Sequence, residues 1–376
     1  MPSLRKPSIL PQHLPPGCRV LVDSPGSATL SKFDGVLVAG SSLVFVGSVV
    51  WVPLAYAYAV KKWRDCRDKR RKAVYFGLIV TAATLAIAGP HRHPRVGRWL
   101  ETRRWRLWRA WMNFIAFEVI SDQGQSSGDE DLPYTRRPGA QVTDSNLPLH
   151  KDEQAILAVV PHGIFPFALA FAALPERASQ VFGEFRPVVA TATALFPFVR
   201  TFLGWLGAVD ASRDAVDRAL SEGARIGLAP GGIAEMFEGY PKPMTNPSDE
   251  YAILEQRKGF VRMAIKHGVP LVPVYTFGAT KMLNRLQLPA IVEKLSNLLR
   301  ISLCIFFGRF GLPIPFRTKL LYVIGRTLYP PLPSEDREEF RQQVDSLHDA
   351  FCKELRRIFE RNKASYGWED KGLNII

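Results

Sequence analysis

The chain has 376 residues, 47% of them hydrophobic, which is enough for one large domain or two ordinary ones with a sizeable core. This excludes a disordered tail and a disulfide-stapled miniprotein. Lys and Arg number 49 against 35 Asp and Glu; the whole surplus of 14 falls in residues 1–110, while residues 111–376 hold 30 of each sign. A nucleic-acid binder places a basic stripe on its folded domain, so a surplus confined to one end of the chain, ahead of a neutral remainder, favours anionic lipid headgroups as partner.

In chain order, residues 1–35 are rich in Pro, lack the charged-then-apolar pattern of a signal peptide, and read as a flexible, solvated tail. Residues 36–60 give 25 consecutive uncharged positions, more than the about 20 that a spanning helix needs; Pro53 is the expected kink. A basic connector, KKWRDCRDKRRK at 61–72, precedes 17 further uncharged positions at 73–89. The two apolar runs predict a transmembrane helical hairpin with both ends on one side. Its orientation is undecided, because the connector and the 91–109 flank each carry a net +6. Residues 98–117 set Trp105, Trp108, Met112 and Ile115 at helical spacing between arginines, an interfacial pattern. Residues 36–120 are therefore expected to form a membrane anchor, and the polar, Gly- and Ser-rich stretch at 121–150 a linker.

From 151 to 376 short apolar runs alternate with helical patterns. The runs at 155–160, 187–191, 224–229, 270–277 and 320–325 read as strands, and those around 163–173, 213–222, 257–267 and 335–362 as helices. Alternation of this kind predicts an α/β domain, a layered and mostly parallel sheet with flanking helices. The last helix, opened by Ser334 and early acids, is expected to pack along Phe340, Val344, Leu347, Phe351 and Leu355. Cysteines 18, 66, 304 and 352 are too scattered for a zinc site or a disulfide framework, and no metal is expected.

The sequence lacks the nucleophile elbow of serine hydrolases, the phosphate loop and the dinucleotide fingerprint. His162 stands apart from the other histidines because it follows the apolar run AILAVVP and precedes Gly163 and a helical stretch. That places it at the carboxyl end of a strand, where binding crevices form. There it can act as a general base or be a turn histidine bonded to backbone. Gly231 and Gly232 follow a strand, with Glu235 a helical turn on. They read as a tight turn and a first-turn acid, or as backbone donors and the carboxylate that orients an imidazole. Ser212 with Arg213 and Asp214 reads as a helix cap. Arg257 and Lys258, and Arg317, are basic positions that can meet phosphate or solvent.

Taken in order, Pro161-His162-Gly163, Ser212-Arg213-Asp214, Gly231-Gly232-Ile233-Ala234-Glu235, Arg257-Lys258-Gly259-Phe260, HGVPLVPVYTFG at 267–278, Pro315-Phe316-Arg317 and YVIGRTLYPP at 322–331 resemble the type 2 diacylglycerol acyltransferase family, which includes monoacylglycerol and wax-alcohol enzymes. The likeness covers about residues 155–331. The family usually has His-Pro-His-Gly, and Val160 stands here in place of the first histidine. The resemblance implies an acyl-CoA-dependent acyltransferase that makes triacylglycerol from diacylglycerol, with acyl-CoA as co-substrate and no cofactor. His162 would be the base and Glu235 its carboxylate partner. Gly163, Gly231 and Gly232 would offer backbone N–H groups, and Arg213, Lys258 and Arg317 would contact the anionic part of CoA. The implied setting is the endoplasmic reticulum membrane or a lipid droplet, with the catalytic part facing the cytosol among membrane lipids and no nucleic-acid partner. Homo-oligomerisation is left open. The alternatives are a monoacylglycerol, long-chain alcohol or lysophospholipid acceptor, or a non-catalytic lipid-droplet scaffold.

Overall fold

A computed structural model describes residues 14–23, 30–88, 98–124, 132–137, 150–237, 242–299 and 304–376. In chain order the elements are β1 (Cys18–Val22), α1 (Lys32–Phe45), α2 (Ser48–Asp65), α3 (Lys69–Ala88), α4 (Arg106–Ile115), β2 (Glu118–Asp122), β3 (Ile156–Val160), α5 (Phe167–Ala173), α6 (Glu176–Phe182), β4 (Arg186–Val189), α7 (Pro197–Trp205) and β5 (Val209–Asp210). They continue with α8 (Arg213–Ser221), β6 (Ile226–Leu228), β7 (Glu250–Ala252), α9 (Gly259–His267), β8 (Leu271–Phe277), β9 (Asn284–Arg285), α10 (Ala290–Leu299), β10 (Phe306–Phe307), β11 (Leu321–Ile324), α11 (Arg337–Tyr366) and β12 (Leu373–Ile375).

The period of two in each buried strand builds three layers. Along β3, Ile156, Ala158 and Val160 enter one core with Val261, Phe351 and Leu355 of α9 and α11. Leu157 and Val159 point the other way, into a second core with Trp111, Phe114, Phe171 and Phe182 of α4, α5 and α6. The sheet between these helical layers has eight strands among the described residues, in the order β1-β2-β11-β8-β3-β6-β4-β5. The run β8-β3-β6-β4-β5 is parallel throughout, whereas β11 is antiparallel to β8 and β1 to β2. The expected mostly parallel α/β sheet is therefore a mixed one, and all five sequence-predicted strands lie in it.

The domain boundaries move. Strand β1 belongs to the expected solvated tail, yet it forms the edge of the central sheet. Strand β2 lies across the expected junction of anchor and linker and is fully buried. Its last residue explains why: the Asp122 carboxylate is 0% exposed and receives Arg357 Nη1 at 3.0 Å, Arg361 Nε at 3.2 Å and Asn362 Nδ2 at 2.8 Å, all from α11. Burial alone would raise its pKa, but Arg357, Asn362 and Arg361 outweigh burial and hold it below the usual value. Glu354, equally buried, joins Arg357 to Arg326 beyond β11. Helix α11 buries Val344, Leu347, Phe351 and Leu355 as its periodicity predicts, with Phe340 partly buried. Its N-cap is Asp336, which accepts from Glu338 N and Glu339 N, rather than Ser334. Residues 125–131 and 138–149 of the expected linker lie outside the described residues.

The Arg/Trp stretch is likewise core. Trp108, Trp111, Phe114 and Ile115 of α4 are buried, and the indoles of Trp108 and Trp111 donate to Thr102 O at 2.6 Å and Ser41 Oγ at 3.0 Å. Met112 packs partly buried against the same core. The amphipathic spacing is real, but the apolar stripe faces the sheet layer rather than lipid. Trp99 and Trp105 are exposed, each packed edge-on against Trp205.

No single described helix is long and apolar enough to cross a membrane; α1 and α2 pass together, bent by 51°. The bend falls at Val46–Gly47 and not at Pro53, which sits inside α2. A side chain at Gly47 would press on Leu43 O. Across the break, the Trp51 indole donates to the carbonyls of Leu43 and Val44, each at 3.2 Å, which compensates acceptors that the interrupted helix leaves over. Helix α3 begins with KRRK, directly ahead of the second apolar run. Helices α2 and α3 do pack together across Cys66–Asp68, and Val50, Leu54, Val74, Phe76 and Leu78 are exposed on them.

Because Asp122 joins β2 to α11 through charges that cannot rehydrate in place, Asp122→Ala is expected to destabilise the fold by about 3–5 kcal/mol. Thermal unfolding in detergent checks this; an unchanged melting temperature would mean that the cluster holds nothing together.

Candidate functional site

Strand β3 ends at Val160, the Val160–Pro161 bond is cis, and His162 opens the turn that leads to α5. Parallel pairing to β6 and β8 brings two further strand ends beside it. After β6 the chain runs through Pro230 and Gly231 into a single 3₁₀ turn, Gly232–Met236, which holds Glu235. Glu235 is 8% exposed. Its Oε2 accepts a short hydrogen bond from the backbone N–H of His162, and its Oε1 accepts the N–H of Ile253, beyond β7, at 3.2 Å. Glu235 therefore grips the peptide of His162 and not its imidazole, which corrects the triad-like pairing expected from the sequence. Burial pushes the Glu235 pKa up to about 7, against the two N–H groups and Arg257, which pull it down.

The imidazole has its own partner. Nδ1 lies 2.7 Å from the carbonyl oxygen of Gly163. A carbonyl only accepts, so Nδ1 carries the hydrogen and Nε2 of the neutral ring keeps its lone pair. Burial lowers the His162 pKa from its ordinary value, with the Gly163 bond opposing it, and the ring is neutral at neutral pH. Of the two alternatives raised by the sequence, the structure shows the backbone-bonded turn histidine, and that bond sets the tautomer of the ring.

The glycines serve three different purposes. Gly163 has φ +68°, and a Cβ there would meet Ala279 O at 3.3 Å. At Gly231 the backbone is ordinary, but a Cβ would lie 2.2 Å from the Glu235 carboxyl, so the carboxylate occupies the space of the missing side chain. Gly232 has φ +56°, and its N–H is spent on Ala229 O at 3.1 Å, which removes it from the expected oxyanion donors.

His162 is half-buried and lines neither of the two cavities that other residues of its turn line. Pro161, Gly163 and Glu235 line a polar cavity of about 370 Å³ together with Glu250, Lys281 and Arg285. Phe165 and Phe167 line an almost wholly apolar one of about 120 Å³ with Phe45, Trp108, Trp111 and Phe202. The polar wall is organised by Glu250, 2% exposed, which receives Thr280 Oγ1 at 2.6 Å and pairs with Lys281 Nζ at 2.9 Å. Nothing in the sequence marks Glu250; it reaches the site because β7 pairs with the C-terminal strand β12.

The three expected CoA contacts do not converge here. Arg213 is exposed at the start of α8. Lys258 is engaged by Asp345 of α11 at 2.7 Å. Arg317 is half-buried, with Arg309 close enough to help burial lower its pKa. None of the three lines either cavity beside His162.

A family model described as diacylglycerol acyltransferase matches residues 138–375, which takes in the His162 turn, the Glu235 turn and both walls of the polar cavity. The bovine protein diacylglycerol O-acyltransferase 2-like protein 6 is 28% identical over 298 residues, covering 73% of this chain and 78% of its own. Human acyl-CoA wax alcohol acyltransferase 2 is 28% identical over 325 residues, with 80% and 85% covered, and human 2-acylglycerol O-acyltransferase 3 is 31% identical over 251, with 61% and 70% covered. The match spans every element that positions the imidazole, and the chain belongs to the diacylglycerol acyltransferase family.

Proposed function

We propose that the protein transfers a fatty acyl group from acyl-CoA to the free hydroxyl of diacylglycerol, giving triacylglycerol. The observation that carries this reading is the Nδ1-bound imidazole on a turn whose other residues line an apolar cavity and a polar one. The lone pair on Nε2 takes the hydroxyl proton as the oxygen attacks the thioester carbon. The carbon–sulfur bond then breaks, and the thiolate recovers the proton from the imidazolium. Hydrocarbon suits the phenylalanine- and tryptophan-lined side, and the polar part of a substrate suits the side lined by Glu250 and Lys281. The N–H groups of Gly163 and Gly231 are the candidates to receive the developing oxyanion. Glu235 acts one step back, as a positioning residue that fixes the peptide on which the imidazole is mounted.

The setting that fits is a membrane surface of the endoplasmic reticulum or a lipid droplet with the site toward the cytosol, where acyl-CoA is found. What supports it is the row of exposed apolar side chains on α1 to α3 and the net positive charge of residues 61–72. Wax-alcohol and monoacylglycerol transfer are named among the relatives, so the direct assay offers labelled acyl-CoA with diacylglycerol, monoacylglycerol and a long-chain alcohol in turn. Triacylglycerol as the main product is expected. A different main ester would change the acceptor, and no ester from any acceptor would leave a scaffold.

Two variants test the assigned roles. His162→Ala should fold and bind membranes but lose about 10²–10⁴-fold in turnover; near-normal turnover would remove the base. Glu235→Gln presents one acceptor oxygen to two buried N–H groups, which leaves one unsatisfied at a cost of about 1–3 kcal/mol, and turnover should fall with it. In the parent protein kcat/KM should rise with pH through about 7, as Glu235 ionises and can accept from both peptides. A second inflection should lie below the usual histidine value, where His162 loses its proton. The upper inflection should vanish in Glu235→Gln; its persistence would assign it to another group.

A further inference from the structure

A third cavity, of about 360 Å³, lies along the outer strands β4 and β5 and is lined by Arg186, Arg200 and Arg218. Arg200 is 5% exposed, and its Nη1 is buried with no hydrogen-bond partner among the described residues. A buried guanidinium is costly unless an acceptor completes it, and burial correspondingly lowers its pKa. A second feature converges on the same space. Ser212 is the N-cap of α8, but its hydroxyl makes no capping bond, and Ser212, Asp214 and Ala215 all line the cavity. The first turn of α8, which no side chain caps, thus lines the cavity, and helix starts left open in this way receive anions. Acids are present too: Asp210 accepts from Ser212 N at 2.9 Å, while Asp214 and Glu222 are exposed and screened by solvent.

The cavity is not isolated. Val189 and Leu203 line both it and the apolar cavity that reaches Phe165 and Phe167, just after the His162 turn. Helix α3, with its exposed apolar side chains, packs on α7 and on the 3₁₀ turn Thr191–Leu195 beside it. We infer that this cavity holds the phosphate of an amphiphilic ligand, completed by Arg200, Arg186 and the start of α8, with the ligand's hydrocarbon part passing Val189 and Leu203 toward the His162 turn. Two sources share that chemistry, the nucleotide phosphates of acyl-CoA and the headgroup of an anionic phospholipid. The first rests on the transfer reaction proposed above; the second does not.

The test uses the full chain in phosphatidylcholine nanodiscs, with Arg200→Gln and the charge-keeping Arg200→Lys. One arm compares kcat/KM for palmitoyl-CoA and for palmitoyl-pantetheine, which has no phosphate. The other measures binding to phosphatidylcholine vesicles with and without phosphatidate. If CoA is the source, Arg200→Gln shrinks the preference for palmitoyl-CoA about tenfold, as expected for a lost charge-assisted hydrogen bond, and Arg200→Lys keeps most of it. If a lipid headgroup is the source, the preference stands and the gain in binding from phosphatidate falls by a similar factor. A preference and a phosphatidate gain both like those of the parent, or equal losses with both donors, would overturn the site. Should Arg200→Gln fail to fold, as thermal unfolding would reveal, Arg218→Gln takes its place in both arms. A parent protein that forms no ester with either donor overturns the transfer reading alone, because the vesicle arm and calorimetric titration with CoA still decide whether phosphate binds at Arg200.

Discussion

Two backbone N–H groups from separate parts of the chain share one buried carboxylate, and the site depends on that arrangement. Glu235 ties the peptide of His162, at the end of β3, to that of Ile253, just after β7. A buried N–H without a partner is expensive, so neither turn can move away without leaving a donor bare. The conformation of the His162 turn is thereby set from outside, and the ring is set from within by Gly163 O. The result is a neutral imidazole with a defined free nitrogen.

The surrounding sheet makes this geometry repeatable. Parallel strands β8, β3 and β6 bring three strand ends to one edge, and the His162 and Glu235 turns occupy two of them. The glycine at 231 is required by Glu235 itself, whose carboxyl fills the volume where a Cβ would be. Farther away, Asp122 and Glu354 attach α11 to β2 and to the chain after β11 with charge-assisted bonds. The C-terminal strand β12 holds β7, and with it Glu250 and the Ile253 peptide, against the site. Residues up to 240 positions apart in sequence thus share one rigid frame.

Much of this was legible in the amino-acid order. Buried parallel strands such as ILAVV and LVPVYTF are continuous apolar runs, and all five strands found that way lie in the sheet. The position of His162 after such a run and the paired glycines before Glu235 also marked the two turns that the Glu235 carboxylate joins. What remained hidden is long-range. An apolar stripe with tryptophans looks the same whether it faces lipid or a second protein layer, so α4 read as interfacial although it is core. The two-residue β5 is too short for a pattern, β1 sits in a Pro-rich stretch that read as solvated tail, and β2 hides behind a polar stretch. Chemical type also could not tell which atom of His162 Glu235 would meet; a carboxylate serves a peptide N–H as well as an imidazole. The basic residues nearest the motifs were expected at the phosphates, yet Arg200, buried with an unsatisfied Nη1 in a mostly apolar helix, carries no motif at all.

The central claim is the tautomer. Nitrogen-15 NMR of histidine-labelled protein, with the His162 signals assigned by difference against His162→Ala, reads it directly at neutral pH. The account predicts a neutral ring with hydrogen on Nδ1 and an unprotonated Nε2. A ring protonated on Nε2, or a doubly protonated imidazolium at that pH, would contradict it.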